Sequence, residues 1–421
     1  MTPPTASPLL KAIARKRREL ERRRPLKKVV FVSYGGFGNN SGGHIAGFAR
    51  ELFWRGYAVA ICARDGLADA YVHGPAPYEF FTVQDLVDHP RAVIGFDGAF
   101  EPKQTLLICW TARKVSRRAV IQVSRGCNIP YLVHFEDNED HLSQMRLASD
   151  DEAEEDAGES AVARDLAKQK SLVREAVGAT VIEERLLQML PPDLPALWLE
   201  PGVDFELFCT PLTPRRRATL LRGAGVPEDA AVIVYPGNIH RANVQEMAEL
   251  YRAVRKVRET GRRLVLLKTG KDDVSMADVL GYAPEEHGVI GLGQVERPFL
   301  VDLLKCADLF VQPGAPGPFN DFRFPSKLPE LLAIGRPVIL PATNLGLRLH
   351  DGVEALLLRQ GSADEIARQI ERALSDAMLA KALSINARAF AKRTYRWDRQ
   401  GRRLETFLKQ IQRARAKWPD A

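Results

Sequence analysis

The sequence predicts an α/β protein of two domains, each a parallel sheet with crossover helices. Three observations carry that expectation. Short apolar runs alternate with helical patterns, which is how buried strands and crossover helices read in a parallel sheet. The alternation occurs twice on a similar plan, and 421 residues exceed what one core normally serves. Between the halves lies "EPGVDFELFCTPLTPRRR", rich in turn formers and without helical period.

In the first half the expected strands are "VVFVS" (29–33), "AVAICA" (58–63), "LLICW" (106–110), "YLVH" (131–134), "ATVI" (179–182) and "ALWL" (196–199). In the second they are "AVIVY" (231–235), "LVLLK" (264–268), "GVIGL" (288–292), "DLFVQ" (308–312), "PVIL" (337–340) and "ALLL" (355–358). Two Rossmann-like domains are the economical reading. Such sheets take ligands beyond the carboxyl ends of their strands, so the loops after these runs are where chemistry is sought.

Composition narrows the class. A hydrophobic fraction of 45% with 27% charged residues is that of a water-soluble globular chain. No run of 18 apolar residues occurs, and "MTPPTASPLL" lacks a signal peptide's regions, which predicts a cytoplasmic protein. Five scattered cysteines without a CxxC pair argue against a disulfide framework or a zinc site. The net charge of +7 is localised: residues 1–28 hold ten Lys or Arg against two Glu, a net +8, so the remainder is close to neutral. This basic arm reads either as a solvated helix or tail, or as an attachment to an anionic surface, membrane or nucleic acid. Residues 149–160, "SDDEAEEDAGES", read as a mobile acidic loop.

Four loops carry candidate chemistry. After the first strand, glycines crowd "SYGGFGNNSGGHIAGF" before a helix expected near His44, suiting a phosphate at the helix start or simply a tight turn. The glycine spacing is not the dinucleotide fingerprint, and no acidic residue ends the second strand, so a nicotinamide cofactor is disfavoured. His134 closes the fourth run, followed by Glu136, Asp137, Glu139 and Asp140, which read as helix-start carboxylates more than as metal ligands. After "VIVYP" come Gly237, Asn238, His240, Arg241 and Asn243, with Arg241 able to pair with phosphate. Finally "PFNDFRFPSKLPELLAIG" places Lys327 at a probable helix start, where a cation needs an anionic partner, and Glu330 one turn in, able to bind ribose hydroxyls.

Three stretches, "GLGQVERPFLVDLLKCADLFVQPG", "FPSKLPELLAIGRPVILPATNLG" and "ALLLRQGSADEIARQIERALSD", resemble the C-terminal domain of retaining glycosyltransferases of family 4, the group 1 type. "VIEERLLQMLPPDLPALWLEPGVDFELF" resembles that family's domain junction, and "YRWDRQGRRLETFLKQ" its returning final helix. The resemblance spans roughly 29–410 and implies a GT-B fold, two Rossmann-like domains facing each other across a cleft. It divides the chain into a basic arm (1–28), an acceptor domain (29–212, with 385–421 crossing back) and a nucleotide-sugar domain (213–384).

The implied activity is transfer of a hexose from a UDP- or GDP-sugar to a glycan or lipid-linked acceptor with retention. Neither a metal nor a cofactor beyond the nucleotide-diphosphate sugar is implied, and no nucleic acid partner; the arm would bring the enzyme to an anionic inner leaflet. By motif match Glu330 would bind ribose, Gly43 and Gly42 would lie near the phosphates, and His134 would contact the donor sugar. Gly237 would mark the first turn of the nucleotide domain. Two departures stand out. Phe322, beside Asp321, occupies the first position of the family's E-x7-E, and Asn238 and Asn243 replace the usual Arg and Lys. Lys327 and Arg241 are then the candidates for the diphosphate charge, as some family members carry a lysine in an "FPSKL"-like loop, and residues from Asp321 to Ser326 would orient the sugar. The alternatives are another enzyme on this scaffold, an epimerase or a phosphorylase, or a non-catalytic nucleotide-sugar-binding protein.

Overall fold

The computed structural model describes residues 26–64, 77–137 and 166–415. Most of the basic arm and all of the acidic loop lie outside them. The chain divides into two compact units, Met1–Gly202 with Trp397–Ala421, and Val203–Arg396.

The first unit is a seven-stranded sheet in the order β3-β2-β1-β4-β5-β6-β7, every described pairing parallel. Its strands are β1 (Lys28–Ser33), β2 (Ala58–Ala63), β3 (Glu79–Thr82), β4 (Thr105–Trp110), β5 (Tyr131–Phe135), β6 (Gly178–Val181) and β7 (Ala196–Trp198). Strands β1, β2 and β4 are buried at every residue, which is why they read as unbroken apolar runs. Strand β3, "EFFT", was not expected from the sequence: it is a four-residue edge strand with no buried position. Lys28 belongs to this core and not to the arm. Its ammonium is fully buried, donating to Ile94 O at 3.2 Å and to Ala99 O, and pairing with Asp97.

The first helix begins at Asn40, earlier than expected, because the Asn39 side chain accepts from Gly42 N at 2.8 Å and caps it. The returning helix, Trp397–Arg415, packs on this Asn40–Trp54 helix. Gly47 makes the crossing possible, since a Cβ there would sit 2.1 Å from the Trp397 ring, and Phe48 meets that ring edge-on at 5.2 Å.

The second unit carries β10-β9-β8 and β11-β12-β13, joined by the parallel bridge Ile233–Leu309 into one six-strand run. These strands are β8 (Ala231–Pro236), β9 (Leu264–Thr269), β10 (Val289–Gly291), β11 (Phe310–Val311), β12 (Val338–Pro341) and β13 (Leu356–Leu358). The predicted boundaries at 212/213 and 384/385 move to 202/203 and 396/397. Residues 203–212 hold to the second unit because Val203 N donates to Tyr395 O at 2.7 Å and the Cys209 thiol to Ala333 O at 3.1 Å. The helix Ala377–Thr394 packs on Leu328–Ile334, which keeps 385–396 there too. Strand order reverses between β1 and β4 in one unit and between β8 and β11 in the other, and the loops leaving those strands form the two candidate sites.

Candidate active site

In the second unit, β8 runs into a turn held by Asn243. Its Oδ1 accepts from His240 N at 2.9 Å and its Nδ2 donates to Asn238 O at 3.0 Å, while Asn238 Oδ1 accepts from Lys271 N at 2.9 Å. These two asparagines therefore tie loops together, which explains why a buried polar residue stands at position 243. Arg241 is exposed on the same turn.

Lys327 lies against this turn. It occupies the cap position of the helix Leu328–Ile334, and its Nζ sits 3.9 Å from the centroid of the Tyr235 ring. A Cβ on Gly237 would come within 2.7 Å of that Nζ, so glycine is what lets the ammonium settle there. Among the described residues no carboxylate lies within ion-pairing distance of Lys327. Burial, with the positive field of Arg323, pushes its pKa down to about 7, Glu246 opposing and Lys268 adding to the fall. A cation at a helix start, half-discharged by its surroundings, is a site arranged for an anion.

The loop that delivers Lys327 is stapled along its length. Asn320 Nδ2 donates to Ala315 O at 3.0 Å and to Glu246 at 2.5 Å, and Asn344 Nδ2 donates to Asn320 O and Arg323 O at 2.8 and 2.7 Å. Asp321 accepts from Gly317 N at 3.2 Å and from the Thr343 hydroxyl, so this carboxylate acts within the loop's own bonding. Phe322 and Ser326 are half-buried in the same segment. Glu330 stands on the helix as expected but is held by Arg297, a partner that sequence reading did not supply. Glu246 was also missed; burial raises its pKa above the usual carboxylate range.

In the first unit the surprise is Glu136. The carboxylate run after His134 was expected on a helix start, yet Glu136 leaves β5 in a bend and becomes the hub of a half-buried network; Glu139 and Asp140 lie outside the described residues. Its Oε2 accepts from the hydroxyls of Ser41 and of Thr111, the latter at 3.2 Å, and its Oε1 meets His44 Nδ1 at 3.0 Å. Burial alone would raise its pKa, but the bond and field of His44, the field of His134 and the Ser41 hydroxyl hold it down at about 2. Thr111 adopts φ +56°, a left-handed conformation costly for a β-branched residue, and thereby presents its hydroxyl to Glu136.

His134 itself is buried, stacked on Trp110 at 3.8 Å with Nδ1 2.8 Å from the Thr180 hydroxyl. Burial pushes its pKa down to about 3, so it is a neutral hydrogen-bonding group. Gly42 and Gly43 do not offer free amides: Gly42 N–H is taken by the Asn39 side chain and Gly43 N–H by Asn39 O at 3.2 Å. Gly42 is instead a packing requirement, since a Cβ there would lie 1.8 Å from Phe37 O. No group of three or more His, Cys, Asp or Glu among the described residues is placed to hold a metal ion.

Two parallel α/β units, each with polar groups gathered where strand order reverses, define a protein of the GT-B fold class. Residues 230–376 match the family described as Glycosyl transferases group 1. No curated protein matches the chain. Among solved structures, HepE of Anabaena, crystallised with UDP and glucose, aligns at 16% identity over 91% of this chain and 99% of its own, with a TM-score of 0.65. Sucrose-phosphate synthase of Thermosynechococcus elongatus aligns at 16% over 92% and 100%, TM-score 0.64. A glycosyltransferase of Rickettsia africae aligns at 12% over 92% and 99%, TM-score 0.66. At these identities the likeness establishes the fold.

Proposed function

We propose that this protein transfers a hexose from a nucleotide-diphosphate sugar to an acceptor hydroxyl with retention of configuration, without a metal. The observation that carries the reading is Lys327, a cation without a carboxylate partner among the described residues, in the stretch that matches the glycosyltransferase family. As the bond from sugar C1 to the diphosphate breaks, its electron pair stays on the phosphate oxygen. Lys327, with Arg241 and Arg323 beside the same turn, stabilises that charge where it develops. The acceptor oxygen bonds to C1 and its proton passes to the departing phosphate, which fits a first unit whose buried His134 is too weak a base to serve. UDP is the first nucleotide to try, because HepE was crystallised with UDP and with UDP-glucose.

A panel of UDP- and GDP-sugars, read by thermal shift and then by transfer to glycan and lipid-linked acceptors with the product anomer determined by NMR, tests the reading. Expected are a shift with one nucleotide series and a product of unchanged configuration. Stabilisation without turnover on any acceptor would instead favour a binding protein. Glu330→Ala is expected to narrow the preference for UDP over inorganic pyrophosphate, since Glu330 would leave Arg297 to bind ribose; an unchanged preference removes it from the site.

The acceptor is proposed to belong to cell-surface polysaccharide or glycolipid synthesis at the cytoplasmic face of the inner membrane. The basic arm supports this, each of its cations being worth about 1 kcal/mol near an anionic surface. No helix among the described residues is long and apolar enough to cross a membrane. Removing residues 1–26 is expected to weaken low-salt co-sedimentation with anionic vesicles. Equal sedimentation of both forms would refute the role of the arm.

A further inference from the structure

The second unit has a basic cavity away from Lys327, at the other end of the same helix. Its volume is about 250 Å³, and Arg217, Lys305, Arg336 and Arg388 line it with Phe208 and Leu212, while no Asp or Glu contributes to its wall. The helix Leu328–Ile334 ends there, so Lys327 and the cavity are separated by seven residues, about 10 Å of helix rise.

The cations are held in place by backbone carbonyls more than by acids. Arg388 donates from Nε to Ala333 O at 3.3 Å and from Nη2 to Ile334 O, capping the helix. Gly335, at φ +73°, admits it: a Cβ there would fall 2.7 Å from Arg388 Nε. Arg217 donates from Nε and Nη2 to Cys306 O at 3.1 and 2.9 Å, and pairs with Asp308 at 2.9 Å. Among the described residues Lys305 and Arg336 have no carboxylate partner. Carbonyls fix the two guanidinium planes without cancelling charge, so only one of the four cations is neutralised. A concave site with three uncompensated positive charges suits a phosphate group, with Lys305 and Arg336 free to turn their donors to its oxygens and Arg388 adding its fixed charge. The volume lies below the roughly 300–1,000 Å³ usual for drug-sized ligands, so a phosphate or diphosphate group fits better than a whole nucleotide sugar.

We propose that this cavity is a phosphate-binding site separate from the nucleotide site, occupied by a free phosphorylated small molecule or by a phospholipid headgroup. It does not rest on the transferase reading. The test titrates the full chain, saturated with UDP, with inorganic pyrophosphate by calorimetry. In parallel, sedimentation with phosphatidylglycerol against phosphatidylcholine vesicles is measured. The double variant Lys305→Ala, Arg336→Ser, whose side chains have no carboxylate partner among the described residues, is expected to weaken pyrophosphate binding at least tenfold with UDP affinity unchanged. Lys327→Met is expected to leave pyrophosphate binding in place, which separates this site from the nucleotide site even where UDP itself does not bind. Weakened vesicle binding with unchanged pyrophosphate binding in the double variant would identify the headgroup as the source. If the double variant matches the wild type toward both pyrophosphate and vesicles, the proposal is overturned.

Discussion

Lys327→Met is expected to weaken nucleotide-diphosphate binding by about 1.5–3 kcal/mol, ten- to more than a hundredfold, while raising the stability of the unliganded protein. Both effects share one cause. With its pKa down at about 7, the lysine is costly to charge in the fold, and only an anion relieves that cost. The sign follows from linkage. The folded pKa lies below the unfolded value, so the destabilisation is complete below about pH 7 and is relieved as pH rises toward the unfolded pKa near 10.5. The stability gain in the methionine variant should therefore be largest at or below neutral pH and fade toward pH 10, about 1–2 kcal/mol at pH 7 by the usual scale of such substitutions.

Binding runs the other way. A diphosphate needs the charged lysine, so above about pH 7 it must bring in a proton, and affinity should fall by up to tenfold per pH unit until the bound-state pKa is reached. A nucleotide sugar keeps both phosphates ionised throughout, so calorimetry from pH 6.5 to 9 in buffers of different ionisation enthalpy reads that proton directly. Flat affinity with no proton uptake would remove Lys327 from the diphosphate site. Gly237→Ala is the companion test: its backbone accepts alanine, but the new methyl group displaces the ammonium, so affinity should drop with little loss of stability.

The strands were legible because most are buried on both faces, leaving unbroken apolar runs bounded by turn residues. β3 was not, since an exposed edge strand of four residues carries no such run. Lys327 and Gly237 were legible because a cation at a helix start and a glycine after a strand are local anomalies. Asn238 and Asp321 were read as donor-binding residues; Asn238 bonds to Lys271 and Asp321 to Thr343, partners that only the fold brings near. Glu136 had one usable signal. It stands just past the carboxyl end of β5, where ligand-facing residues gather in such sheets, and that placement outweighed the helix-start reading of the acidic run. Its donors, Ser41 and His44 on the helix Asn40–Trp54 and Thr111 just after β4, could not be paired with it from spacing alone.

Glu136→Gln is expected to lower kcat/KM at least tenfold and to cost about 2–3 kcal/mol of stability, the loss of charged hydrogen bonds in a half-buried site. The carboxylate accepts from three side chains at once: the Ser41 and Thr111 hydroxyls and His44 Nδ1. An amide returns two N–H groups to that ring of donors, so at least one contact turns repulsive. His44 then loses the acceptor that fixes which ring nitrogen bears its proton, and the loop from Tyr34 to Ser41 loses its anchor to β5. The pH dependence identifies the carboxylate as the cause. Its folded pKa, about 2, lies below the ordinary carboxylate value of 4.5, so its stabilisation is present above about pH 4.5 and lost as pH falls toward 2. Wild type should therefore shed about 3 kcal/mol across that window through this group, and the glutamine variant should not. Urea midpoints at pH 7 and pH 3 measure the difference. A purely structural Glu136 would alter those midpoints and leave kcat and KM of the folded protein alone, whereas a positioning role for Glu136 in the reaction would move kcat/KM under conditions where both proteins are fully folded.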